Sequence, residues 1–84
     1  MKARYALDIP PLIRRQIHGL RASARDAIRV RLQEIVEAAG ANITGEAHVL
    51  GPPLRFYVGA FRILYRVEPA TLRVTVLELR AAFA

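Results

Sequence analysis

The hydrophobic pattern of this chain changes its period near Gly40, and this change limits the folds that the chain can adopt. Before Gly40 the apolar residues recur with the spacing of amphipathic helices, whereas after it they alternate with polar residues as in half-buried strands. Helices followed by strands predict an α+β domain in which the helices pack on one face of a mostly antiparallel sheet. The length of 84 residues predicts a single domain that covers residues 1–84.

The first half of the chain predicts a strand and then a hairpin of two helices. The strand covers Lys2 to Leu7, where alternation places successive side chains on opposite sides. Asp8 and the two prolines near it favour the start of a helix, which is predicted from about Pro10 to Leu20. The apolar side of this helix is formed by Ile13, Ile17 and Leu20.

The second helix has the clearest pattern in the chain and is predicted from about Ala24 to Ala39. Ser23 and Asp26 have the Ser-x-x-Asp spacing of a capping box at its start. Gly40 stands where a left-handed residue would end it. Its apolar stripe consists of Ile28, Leu32, Ile35, Val36 and Ala39.

The second half predicts a three-strand antiparallel meander, which follows a polar loop and a short segment at Ala47–Leu50. The three strands are Leu54–Val58, Phe61–Val67 and Leu72–Leu79. Gly59-Ala60 and Glu68-Pro69-Ala70 provide the turns between them. In the middle strand, alternation predicts that Arg62, Leu64 and Arg66 share one face, opposite Phe61, Ile63, Tyr65 and Val67.

The charge of the chain indicates an anionic partner, such as nucleic acid or an acidic protein. Thirteen basic residues against seven acidic ones give a net charge of +6, and twelve of the thirteen are arginines. A solvated basic surface without any partner is the alternative reading.

Several classes of function have no support in the sequence. The chain has no cysteine and only two histidines, His18 and His48, with no carboxylate cluster beside them, so no metal site is predicted. It has no glycine-rich phosphate loop and no nucleophile elbow, and we expect no cofactor. Its apolar runs are far shorter than the roughly 20 residues that cross a bilayer. We therefore expect a cytoplasmic protein without a membrane partner.

The stretch from Leu50 to Val67 resembles the core of the RelE/ParE toxins of bacterial toxin–antitoxin pairs. Those toxins typically have a basic strand, a valine-glycine turn, and then an aromatic residue, an arginine, two aliphatic residues and a tyrosine. Here the matching residues are Val58-Gly59 and Phe61-Arg62-Ile63-Leu64-Tyr65. The resemblance extends in order and spacing over nearly the whole chain.

The resemblance implies one of two activities. RelE-type members are ribosome-dependent endoribonucleases that cleave mRNA in the ribosomal A site, whereas ParE-type members inhibit DNA gyrase. Members of both types are neutralised by a cognate antitoxin that wraps across the toxin. A degenerate member that keeps only antitoxin binding is a third reading.

For a RelE-like activity, the resemblance implies four candidate catalytic residues. Arg62 matches the arginine of the meander motif and would hold the scissile phosphate. Arg55 matches a basic position that helps to activate the nucleophile or to stabilise charge. Tyr57 would project to the same strand face as Arg55, and Arg80 is a possible third cation. Such sites cleave RNA with cations and a tyrosine, without a metal ion.

The C-terminal residues depart from the RelE pattern. Ala82 falls where the family has an arginine, with Arg80 two residues before it on the same side of an extended strand. The tyrosine that follows in RelE-type toxins has no counterpart, because Phe83 has no hydroxyl group. The departure leaves nuclease activity open and favours the ParE-like alternative.

Four further arginines are candidates for contact with ribosomal RNA. Arg21, Arg25 and Arg29 lie four residues apart and form a basic stripe along the second helix. Arg66 shares its strand face with Arg62. Solvated arginines, paired in part with Glu37 or Glu78, are the alternative reading for these positions and for Arg62.

Overall fold

The chain forms a short strand, two helices and a meander of three strands. The computed structural model describes residues 4–41 and 53–82. Its elements are β1 (Ala6–Asp8), α1 (Pro11–His18), α2 (Ala22–Ala41), β2 (Leu54–Val58), β3 (Phe61–Glu68) and β4 (Arg73–Ala81). The predicted α+β fold class, with its helical hairpin and antiparallel meander, is confirmed. Neither helix of the described chain combines the length and hydropathy of a segment that crosses a bilayer.

The four strands form one sheet in the order β1-β4-β3-β2. The pairs β2–β3 and β3–β4 are antiparallel, as expected for a meander. The first strand pairs in parallel with the last one, with Ala6 opposite Arg73 and Asp8 opposite Thr75. The sheet as a whole is therefore mixed, because the two helices carry the chain between strands that run in the same direction.

Both helices pack on the same face of the sheet. Ile13 and Ile17 of α1 and Ile28 and Leu32 of α2 are buried in one cluster with sheet residues. The sheet residues of this cluster are Phe56, Ile63, Val76 and Leu79. The predicted apolar stripes thus form the core, since each stripe repeats with the period of its own element.

The ends of the helices differ from the prediction. The second helix begins at Ala22, so Ser23 lies inside its first turn and the predicted capping box does not form. Gly40 is buried within the helix, which continues to Ala41, so it is not a left-handed cap. The first helix has Pro10 at its N-cap and no side-chain cap. Asp8 lies instead in β1, within 3.9 Å of the Arg73 guanidinium.

The strand ends also shift by a few residues. The first strand begins at Ala6 rather than Lys2. The last strand covers Arg73–Ala81 rather than Leu72–Leu79, and Leu72 adopts a φ of 52° in the preceding turn. The predicted segment Ala47–Leu50, with His48, lies outside the described residues, as do Met1–Ala3 and Phe83.

Candidate functional site

The arginines of the middle strand lie on the sheet face opposite the helices, as the alternation predicts. In this strand Ile63 is buried against the helices, whereas Arg62 and Arg66 are only partly buried. The side chains of this helix-free face, grouped by register, belong to Arg55, Tyr57, Arg62, Leu64, Arg66, Glu68, Arg73, Thr75, Glu78 and Arg80.

The four candidate catalytic residues are brought together on this face. Tyr57 of β2 is directly opposite Arg62 of β3, and Arg62 is directly opposite Arg80 of β4. These three residues form a row across the sheet that spans two strand spacings, about 10 Å. Arg55 lies one step along, opposite Leu64, on the same face as Tyr57.

A β-bulge brings Arg80 onto this face. The pairing between β3 and β4 shifts between Leu64 and Tyr65, which face Glu78 and Val76 and leave Leu77 without a partner. Without a bulge, Arg80 would share the face of buried Val74 and Val76. The alternation along β4 did not predict this bulge. It turns Glu78 and Arg80 towards the arginines of β3.

Glu78 contacts two of the candidate catalytic arginines through one oxygen. Its Oε1 atom lies 3.4 Å from Arg62 Nη2 and 3.3 Å from Arg80 Nε. The Arg62 and Glu78 side chains are 33% and 34% exposed, and the Arg80 side chain is 67% exposed. The expectation that Glu78 pairs with a strand arginine is confirmed. The face therefore carries a cationic site whose charge is partly neutralised from within.

Two nitrogen atoms of this face lack partners in the described part of the chain. Arg62 Nε and Arg66 Nε are shielded from solvent, and neither has a hydrogen-bond partner among the described residues. A shielded donor without an acceptor is costly, and native proteins usually satisfy such groups. Glu68, two residues from Arg66, is engaged elsewhere, because its Oε2 atom accepts a hydrogen bond of 2.9 Å from the Thr75 hydroxyl.

The basic residues of the second helix form a separate surface. Arg25 and Arg29 line a groove of about 430 Å³ together with Arg14 and His18 of α1. The sheet lies between this groove and the helix-free face, because both helices pack on its other side. Arg66 belongs with the candidate catalytic residues, whereas Arg21, Arg25 and Arg29 do not. The sequence analysis missed Arg14, which α1 presents beside His18 one turn later.

The helix-free face is suited to binding a phosphodiester. Guanidinium groups donate paired hydrogen bonds to phosphate oxygens, and preorganised cations stabilise negative charge that develops on phosphorus. Tyr57, which is exposed, offers a hydroxyl group within the same row. No group of three or more His, Asp or Glu side chains that could hold a metal ion occurs among residues 4–41 and 53–82.

No protein-family model matches the chain, and no curated protein matches it. Solved structures do match. The isolated RelE toxin of E. coli aligns with a TM-score of 0.71 and 17% identity, over 95% of this chain and 86% of that one. The RelE–RelB complex of the archaeon Pyrococcus horikoshii aligns with a TM-score of 0.71 and 16% identity, over 96% of this chain and 98% of that one. The intact E. coli RelBE toxin–antitoxin complex aligns with a TM-score of 0.69 and 20% identity, over 95% of this chain and 99% of that one. The chain described here therefore has the fold of the RelE toxins.

Proposed function

We propose that this protein is the toxin of a toxin–antitoxin pair and that it acts in the cytoplasm on mRNA at the ribosome, as a metal-independent endoribonuclease. The observation that carries the proposal is the row of Tyr57, Arg62 and Arg80 across three strands, with Arg55 beside it. The RelE fold supports the toxin role. The net charge of +6 supports an anionic target.

RNA cleavage assigns a task to each residue of the row. The 2′-hydroxyl must lose a proton as its oxygen bonds to phosphorus, and the phosphorus centre gains negative charge. The bond from phosphorus to the 5′-oxygen then breaks, and the 5′-oxygen takes up a proton as it leaves. Arg62, which lies at the centre of the row, would bind the scissile phosphate. Arg55 would stabilise the developing charge or help to activate the 2′-hydroxyl, and Tyr57 would assist proton transfer. Arg80 would supply a second cation to the phosphate, across the strand from Arg62.

A cognate antitoxin is the protein partner that we propose. The solved structures that match this chain include two toxin–antitoxin complexes and a RelE mutant bound to an antitoxin peptide. An acidic or amphipathic antitoxin would complement the basic surfaces of this chain. We further propose that Arg21, Arg25 and Arg29 contact ribosomal RNA. Arg66, which shares the sheet face of Arg62, would contact RNA beside the scissile phosphate.

A second candidate function is inhibition of DNA gyrase by binding alone. It is favoured by the engagement of Arg62 and Arg80 with Glu78 and by the alanines at positions 81 and 82. A site whose cations are neutralised by a carboxylate, and which has alanines at these two positions, would bind without cleaving.

Pulse labelling of protein and DNA synthesis tests the proposal. The chain is induced in a bacterial host that lacks the antitoxin, and incorporation of amino acids and of thymidine is followed over minutes. We expect amino-acid incorporation to fall first. Arg62→Ala should abolish this effect, because loss of a charged contact to the transition state lowers rates by about 100-fold or more.

Arg73→Ala is the matched control for this experiment. Arg73 lies on the same sheet face but near the opposite end of β4, paired with Asp8 at 3.9 Å. It should retain the full effect on translation. An early loss of thymidine incorporation would instead support gyrase inhibition. If neither incorporation changes while soluble protein accumulates, the toxin proposal is wrong.

A further inference from the structure

Glu78 stands out among the described acidic residues, because it contacts the candidate catalytic arginines directly. The other ion pairs of the described chain join Arg31 to Glu34 and Arg73 to Asp8, away from the row. Glu68 lies on the same sheet face but accepts its hydrogen bond from Thr75. The anion that occupies the cationic row is therefore the carboxylate of Glu78.

The geometry of this contact resembles that of a bound anion. Arg62 and Arg80 are directly opposite each other on neighbouring strands, and like charges in that position repel. The Oε1 atom of Glu78 lies within 3.4 Å of a nitrogen atom of each guanidinium. A phosphate oxygen that accepts hydrogen bonds from these same two nitrogen atoms would need the same position. The Glu78 carboxylate and a phosphate group therefore cannot occupy this position at the same time.

The contact is also weak enough to be displaced. About one third of the Arg62 and Glu78 side chains is exposed, and ion pairs at such exposure contribute little because water screens them. Regular alternation along β4 would place Glu78 on the helix side of the sheet. The bulge at Leu77 places it beside Arg62 and Arg80 instead. The Glu78 carboxylate is therefore placed so that an anion that binds the arginines more strongly can displace it.

We propose that Glu78 is an internal competitor of phosphate at the Arg62–Arg80 pair and thereby determines which anions bind there. An isolated phosphate must displace Glu78 without forming contacts to any other arginine. A polynucleotide displaces it while also contacting Arg55 and Arg66 on the same face, and its binding is therefore favoured over that of a single phosphate. The ligand class rests on the proposed function, whereas the competition between carboxylate and phosphate does not.

A titration with inorganic phosphate tests this competition on the whole chain. The side-chain Nε–H resonances of Arg62 and Arg80 are followed by NMR at constant ionic strength. We expect Glu78→Gln to lower the half-saturating phosphate concentration about fivefold, as expected for the loss of two weak ion pairs. Glu34→Gln is the matched control, because it makes the same charge change on α2, next to Arg31. It should leave the midpoint unchanged.

A conservative variant separates competition from a purely structural role. Glu78→Asp keeps the charge but withdraws the carboxylate by one methylene group, and its midpoint should lie between those of the wild type and Glu78→Gln. An unchanged or weaker phosphate affinity in Glu78→Gln would overturn the proposal. If Glu78→Gln does not fold, an Asp variant with the wild-type midpoint would overturn it equally.

Binding of a single-stranded oligoribonucleotide distinguishes failure of this inference from failure of the proposed function. RNA binding that depends on Arg62, together with equal phosphate midpoints in the wild type and Glu78→Gln, would refute the inference alone. A lowered midpoint in Glu78→Gln without any RNA binding would support the inference and refute an RNA target.

Discussion

Gly59 and Gly19 are the same residue type in two different backbone conformations. Gly59 is the first residue of the β2–β3 turn and has a φ of 55°, where an L side chain is strained although its Cβ would meet no atom within 4 Å. Gly19 follows α1 with a φ of −80°, and its Cβ would make only ordinary contacts at 3.7 Å. The requirement for glycine is therefore conformational at one position and absent at the other.

This difference in backbone conformation predicts that alanine is destabilising at position 59 but not at position 19. Gly59→Ala should lower the free energy of unfolding by about 1–2 kcal/mol, since the left-handed region costs that much for a residue with a Cβ. A loss of this size lowers Tm by roughly 4–8 °C per kcal/mol in a domain this small. Gly19→Ala should leave Tm unchanged or raise it slightly. Thermal unfolding measures both, and equal shifts would contradict the turn geometry.

At the scale of the element, the bulge in β4 decides which side chains of that strand are buried. Strict alternation would give Leu77 and Leu79 the same environment, because they are two residues apart. In the structure Leu77 is 39% exposed, whereas Leu79 is 7% exposed and belongs to the core cluster. Leu77 is the unpaired residue of the bulge.

Two leucine-to-alanine variants of the same strand therefore differ in cost. Leu79→Ala should lower the free energy of unfolding by about 2–5 kcal/mol, because it removes buried methyl groups and leaves a cavity. Leu77→Ala should cost less than about 1 kcal/mol, as for most changes at exposed sites. Chemical denaturation gives both values. Similar costs would indicate that β4 continues without a bulge and that Glu78 and Arg80 face the helices.

At the scale of the whole molecule, seven of the arginines lie on two separate surfaces. One is the helix-free face with Arg55, Arg62, Arg66 and Arg80. The other is the groove of α1 and α2, which Arg14, Arg25 and Arg29 line. The sheet separates them, so the two surfaces can contact different phosphates of a large RNA. This division fits the proposed function, in which one side would dock on the ribosome and the other would act on mRNA.

If the two surfaces have separate roles, removing charge from the helix surface should weaken ribosome binding and leave phosphate binding at Arg62 unchanged. Replacement of Arg21, Arg25 and Arg29 by glutamine should weaken binding to ribosomes at moderate salt. It should also make the dependence on salt shallower, by about 0.7 in the log–log slope per lost phosphate contact. Co-sedimentation with ribosomes over a salt series measures both. Phosphate binding at Arg62 should stay unchanged, and it serves as the control. Unaltered sedimentation would leave these arginines as a solvated helix face.

Features that repeat with the period of a single helix or strand could be predicted from the sequence alone. The stripe of Ile28 and Leu32 and the alternation of Arg62, Ile63 and Leu64 repeat with the period of a helix or a strand, so neighbouring residues specify them. The α+β class, the meander and the common face of Arg55 and Tyr57 follow from these periods. The fold and half of the candidate site were therefore accessible from the sequence.

Tertiary structure alone decided the features that depend on pairing between distant segments. The parallel pairing of β1 with β4 joins residues far apart in the chain. The bulge at Leu77 arises where the core requires both Val76 and Leu79 on the helix side. The same bulge turns Glu78 and Arg80 towards Arg62, a contact that alternation would forbid. Strand register is set by the burial of whole faces, and no local run of residues encodes it.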